Sequence, residues 1–166
     1  MKRFTLLLFF LLLTVIAFSQ NIAGTWIETI NTETVKGFGT TCTKTLNLFI
    51  DGTLIREYYT EIKVPTADKN EFIRVRCLCS GTWEYNGDML TQTFDQRSSK
   101  SEVLEFPESL PDEVKNYAAN AMFSLMKDQA KKPVKSDVLE LTSDTLKIIE
   151  TGFDNAVIET YIRRKD

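Results

Sequence analysis

The pattern in this chain with most chemical content is a set of charges at positions where a strand would turn them inward. Between Thr41 and Lys63, the residues Lys44, Arg56 and Tyr58 fall in step with Leu46, Leu48, Leu54 and Ile62, while the intervening positions carry Thr43, Thr45, Asn47, Glu57 and Glu61. Two cations and a phenol beside an apolar wall suit an anionic head such as a carboxylate, its tail shielded from water by Leu46, Leu48, Leu54, Trp83, Tyr85 and Phe94. A buried charge without a partner is costly, so the competing reading is internal pairing with Glu28 or exposure at a rim. Catalytic alternatives are few. The chain has no histidine, which excludes Ser-His-Asp and Cys-His nucleophilic chemistry and HExxH zinc sites. Carboxylates are the only remaining bases, and no pair of them is marked by spacing. Ser98-Ser99-Lys100 has the composition of a Ser–Lys dyad but lies in a polar stretch that reads as a solvated loop. No catalytic residue, cofactor or metal ligand set is assigned.

Cys42, Cys77 and Cys79 make an odd count, so at most one internal pair forms. Cys77 and Cys79 are two apart on a predicted strand, where a direct bridge would strain an extended backbone. Pairing of Cys42 with either is the better disulfide candidate. In a meander those strands stand two places apart, roughly 9–10 Å, whereas a disulfide wants Cα atoms within about 7 Å. The bridge therefore requires the 37–43 segment to fold over as a loop. Three cysteines with no fourth ligand make a poor zinc site.

Short alternating runs supply the elements that hold these residues. Ile22–Ile30, Thr41–Ile50, Thr53–Lys63, Glu71–Tyr85, Met89–Asp95, Val138–Leu141, Leu146–Thr151 and Ala156–Arg163 read as strands, with turns at Asp51-Gly52, Asn86-Gly87-Asp88, Ser143-Asp144 and Gly152-Phe153-Asp154. Short strands at regular spacing with turn signals between them indicate an antiparallel sandwich or barrel. Register follows from the Asp51-Gly52 hairpin. A two-residue loop would set Leu48 opposite Ile55. A three-residue Ile50-Asp51-Gly52 loop, with Gly52 left-handed, sets Leu48 opposite Leu54, Leu46 opposite Arg56 and Lys44 opposite Tyr58. Only the second separates apolar from polar faces, and a one-residue slip would reverse every side chain. The same reasoning turns Ile73, Val75, Cys77, Cys79, Trp83 and Tyr85 inward. Val114, Tyr117, Ala118, Ala121, Met122 and Leu125 instead follow helical spacing. They predict an amphipathic helix over Ser109–Lys132, with a Ser109…Asp112 capping signal and Val114, Tyr117, Ala121 and Leu125 facing the sheet or an open end.

Lys2 and Arg3 precede an apolar run from Leu6 to Phe18, followed by Ala17-Phe18-Ser19. That is the pattern of a cleavable signal peptide over residues 1–19, with cleavage before Gln20. The run is shorter than the roughly 20 residues a spanning helix needs, so no stable membrane anchor is expected after cleavage. The expectation is a secreted or periplasmic protein with one domain over 20–166. The net charge of −3, about −5 without the leader, argues against nucleic-acid binding.

Gly24-Thr25-Trp26 on the first predicted strand resembles the Gly-x-Trp motif of lipocalins. The order leader, Gly24-Thr25-Trp26, Asp51-Gly52-Thr53 hairpin, second Gly81-Thr82-Trp83 and closing Tyr161-Ile162-Arg163-Arg164 resembles the lipocalin-like domains of secreted Bacteroidetes proteins. The resemblance runs from about Asn21 to the end, with the 97–135 helical segment as an insertion. It implies an up-and-down, calycin-type β-barrel, a small hydrophobic or amphipathic ligand, and a basic residue of the last strand, Arg163 or Arg164, stacked on Trp26. A barrel filled by its own side chains and serving as a protein-interaction or structural module is the other reading.

Overall fold

The computed structural model describes residues 22–33, 39–65, 70–151 and 157–165. The segment expected to be a signal peptide and the turn expected at Gly152-Phe153-Asp154 lie outside them. The strands are β1 (Gly24–Glu33), β2 (Gly39–Leu48), β3 (Thr53–Pro65), β4 (Asn70–Tyr85), β5 (Met89–Phe94), β6 (Lys100–Glu105), β7 (Val134–Leu141), β8 (Thr145–Thr151) and β9 (Ile158–Arg163), with one helix, α1 (Asp112–Gln129), between β6 and β7. The order β3-β2-β1-β9-β8-β7-β5-β4, closed by β3–β4 pairing, makes an eight-stranded antiparallel barrel. Closure removes the unpaired edges that an open sheet would expose.

The β2–β3 hairpin adopts the three-residue loop. Leu48 faces Leu54, Leu46 faces Arg56 and Lys44 faces Tyr58, and Gly52 sits at φ +83°, a conformation that favours glycine. Gly52 N–H donates to the Phe49 carbonyl at 3.0 Å, and Trp83 N–H donates to the Gly52 carbonyl at 2.8 Å. The turn is thereby tied beneath the end of the barrel. Gly81 permits a close approach, because a Cβ there would lie 2.0 Å from the Thr93 carbonyl oxygen on β5. The second Gly-x-Trp thus lets β5 cross tightly while placing Trp83 in the core.

One end of the barrel is sealed. Ile22, Trp26, Leu46, Leu48, Leu54, Trp83, Leu90 and Leu146 are all at most 5% exposed. Such packing is the main favourable term for a chain of this size.

Several expectations need correction. Residues 100–105 form β6, inside the stretch expected to be a helical insertion. β4 pairs β5 through residues 81–85 and β6 through residues 74–78, so β5 and β6 lie end to end along one edge of β4. A 3₁₀ turn (Gln96–Ser98) separates them. Of the β6 positions only Ser101 and Val103 are partly buried, so its pattern is weak and its strand character comes from the partner ladder rather than from local preference. β7 begins at Val134 instead of Val138, with Val134 and Ser136 buried and Lys135 and Asp137 exposed; the polar Ser136 at an inward position hides that alternation in the sequence. The helix spans Asp112–Gln129, within the expected range, and packs on β6 and β4. Tyr117 does not face the sheet: it is 76% exposed, and Val114 is 37% exposed. Ala121 and Leu125 fall outside the described side chains. Ser109 Oγ donates to Glu71 and lies three residues before the first helical residue, Asp112.

The expected disulfide is absent, and Cys42, Cys77 and Cys79 are free thiols. Residues 39–43 are regular β2 strand rather than a folded-over loop. Cys42 pairs with Thr60 of β3, while Cys77 pairs with Tyr58 on the far side of that strand. An intervening strand keeps β2 and β4 about 9–10 Å apart, beyond disulfide reach.

Candidate functional site

Lys44, Arg56 and Tyr58 all project into the barrel, and the structure adds partners from strands far away in sequence. Lys44 Nζ lies 3.1 Å from Glu28 and 2.5 Å from Glu159. Arg56, only 1% exposed, donates from Nη1 to Tyr58 Oη at 3.2 Å and from Nη2 to Gln92 Oε1 at 2.9 Å. Its guanidinium also stands 3.7 Å from Glu150 and 5.0 Å from the Phe94 ring centroid. Tyr161 donates to Glu159 at 2.7 Å. β1, β2, β3, β5, β8 and β9 thus contribute to one charged layer across the interior, in which the cations Lys44 and Arg56 meet the carboxylates Glu28, Glu150 and Glu159. Internal pairing with Glu28, the competing reading of these cations, is what the structure contains for Lys44.

Burial and partners set the protonation of this layer. Burial alone would raise the Glu159 pKa, but Arg56, Lys44 and the hydrogen bonds from Lys44 and Tyr161 outweigh it and hold the carboxyl below its ordinary 4.5. Glu150 goes the other way: desolvation dominates the attraction of Arg56 and raises it. Burial tends to lower the Lys44 pKa, yet the charge and hydrogen bond of Glu159, helped by Glu28, raise it above 10.5. Burial raises the pKa of Tyr58 and Tyr161, which keeps both phenols neutral and able to donate. The sign for stability follows from linkage. The Glu159 contribution is present above pH 4.5 and is lost as pH falls through its depressed folded value. The Lys44 contribution is present below pH 10.5 and is lost as pH rises through its elevated one. The expected outcome is a melting temperature that drops below about pH 4.5, with a shallower acid limb in Glu159→Gln. Parallel acid limbs in the two proteins would contradict this.

Exposure along the inward rows is graded. On β2 it passes from buried Leu48 and Leu46 to half-buried Lys44, Cys42 and Thr40. On β1 it passes from buried Trp26 through Glu28 to exposed Ile30 and Thr32, with Ile30 39% exposed. On β3, Leu54, Arg56, Tyr58 and Thr60 are buried and Ile62 and Val64 are partly open. Among the described residues the charged layer therefore floors a cup whose β1, β2 and β3 walls grow more exposed past Ile30, Cys42 and Ile62, while Ile73 and Val75 on β4 stay buried.

This geometry divides the residues singled out from the sequence. Lys44, Arg56 and Tyr58 belong to the floor, with Phe94 against Arg56. Leu46, Leu48, Leu54 and Trp83 pack in the sealed end. Tyr85 is half-buried near that end and donates to the Gly87 carbonyl at 2.5 Å. Trp26 is fully buried, and Arg163 covers it at 4.2 Å from guanidinium carbon to ring centroid. Arg164 is exposed, so Arg163 is the stacking arginine. Arg163 also donates to the Ala23 carbonyl at 2.9 Å, and Trp26 Nε1 donates to the Ile22 carbonyl at 2.8 Å. Gly24 makes room here, since a Cβ at that position would lie 2.8 Å from Arg163 Nη1.

Gln92, Ser136, Glu150, Glu159 and Tyr161 were not singled out from the sequence. A signal was present: Leu146, Ile148 and Glu150 alternate, as do Leu90, Gln92 and Phe94, so inward polar positions follow from period two. Which strands bring them to Arg56 depends on barrel closure.

The architecture is that of a closed eight-stranded antiparallel barrel, consistent with a lipocalin-like, calycin-type fold. No family model matches the chain, and no curated protein matches it.

Proposed function

We propose that this chain is an extracytoplasmic binding protein of the lipocalin-like kind, taking a small hydrophobic or amphipathic molecule into the open half of the barrel. The observation that carries this reading is the graded exposure of the inward faces of β1, β2 and β3 above a buried charged floor. A filled structural barrel would bury both ends alike, and pockets that orient a ligand combine apolar walls with a few fixed polar groups. Ile30, Cys42, Ile62 and Val75 supply wall, and the Lys44–Arg56 layer supplies the polar end. The leader-like residues 1–19 support export, and the Gly24–Trp26 start and Arg163–Trp26 stack support the family.

Native mass spectrometry of residues 20–166, purified from the extracytoplasmic fraction of the natural host, tests this. The expected result is a small-molecule adduct that is lost on denaturation. A bare chain mass, together with no uptake of any added amphiphile, would favour the filled-barrel module instead.

A further inference from the structure

The floor of the cup has a particular chemistry that the two cations alone do not convey. Arg56, Gln92, Ser136 and Glu150 lie in one inward layer. Arg56 is hydrogen-bonded to Gln92 and stands 3.7 Å from Glu150, Ser136 is the cross-strand neighbour of Glu150, and Gln92 lies diagonally across from Ser136, two residues from its partner Leu90. Within this layer Arg56 Nε, Gln92 Nε2 and Ser136 Oγ are buried without a hydrogen-bond partner. Guanidinium can only donate, so Gln92 must offer its carbonyl to Arg56, which leaves its amide N–H groups as donors. Two of the three unmatched groups are therefore donors, and the third is a hydroxyl that can donate. Buried groups of this kind are costly when left unmatched.

The charges of the layer are already matched. Lys44 has Glu28 and Glu159, Arg56 has Glu150, and the cations do not outnumber the carboxylates. An incoming carboxylate would add a negative charge to a site with no positive excess, at a like-charge cost. An uncharged acceptor would satisfy the donors without that cost.

Resting on the binding reading above, we infer that the ligand presents an uncharged hydrogen-bond acceptor, such as a ketone, ester or amide carbonyl, to the Arg56–Gln92–Ser136 donors, rather than a carboxylate head. This narrows the class to neutral amphiphiles, and it assigns Gln92 and Ser136 as ligand-binding residues.

A matched series decides it: a methyl ketone, a carboxylate and an n-alkane of equal chain length, titrated at neutral pH into residues 20–166 and into Gln92→Leu and Ser136→Ala. The ketone should bind at least about tenfold more tightly than either of the others, as one charge-assisted hydrogen bond provides. Both variants should erase most of that preference while keeping alkane affinity. Carboxylate binding equal to or tighter than ketone binding would overturn the inference and leave the binding function standing, and so would alkane binding equal to ketone binding. Failure of all three to bind would instead remove the binding function, and this inference with it. If Gln92→Leu does not fold, Ser136→Ala and the ligand series on the unaltered chain still decide the outcome.

Discussion

Arg56→Met is expected to destabilise the barrel by about 3–5 kcal/mol, the usual cost of breaking a buried charged pair by removing one member. The side chain is 1% exposed, and its removal strands Glu150 and Gln92 Oε1 in the interior. Methionine fills most of the volume, so the loss reports polar partners more than a cavity. Urea denaturation of Arg56→Met, Glu150→Leu and the double variant separates the contributions. The double variant should be more stable than Arg56→Met, because no uncompensated carboxylate remains beside position 56. A single variant within about 1 kcal/mol of the unaltered chain would show that the layer is relaxed by solvent and is no buried floor.

Trp26→Ala is expected to cost a similar amount, about 3–5 kcal/mol, by a different route. The indole is fully buried, donates to the Ile22 carbonyl at 2.8 Å and carries Arg163 on its face at 4.2 Å. Its removal opens a cavity at the sealed end and frees the contact that pins β9 to β1. Among the described residues those strands pair at Trp26–Arg163 and Ile27–Ile162, with one further bond from Arg164 N–H to the Thr25 carbonyl. Trp26→Phe keeps part of the stacking surface and should recover about half the loss. Thermal melting of both variants checks this, and an unchanged midpoint in Trp26→Ala would mean that the stack does not close the barrel.

The hairpin shows how much of this was readable from residues alone. Alternation on either side of Asp51-Gly52 permits two registers, and only one keeps Leu46, Leu48 and Leu54 on a single face. Separation of faces is a strong constraint, so β2–β3 pairing was legible in detail. The choice between Arg163 and Arg164 was not, because their neighbours Tyr161 and Ile162 are both apolar and either alternation suits the strand. The structure decides it through the direct Trp26–Arg163 pairing. β6 was missed because Lys100, Glu102, Leu104 and Glu105 are exposed, leaving little periodic signal, and its partner β4 is more than twenty residues upstream. The charged layer was half legible. Lys44, Arg56, Tyr58 and Glu28 were found by strand parity, whereas Glu150, Glu159, Gln92 and Ser136 join them only once the barrel closes. Tertiary pairing of this kind is non-local and leaves no motif.

The central claim is a cup that receives a ligand from its open end down to the Arg56–Gln92–Ser136 floor. Titrating isotope-labelled residues 20–166 with the methyl ketone and following backbone amide shifts by NMR tests it most directly. The expected result is saturable shifts at inward positions, Thr60, Cys77, Gln92 and Ser136, with the outward Thr43, Glu57 and Arg76 nearly unmoved. Shifts confined to outward positions, or none at saturating ligand, would contradict the account.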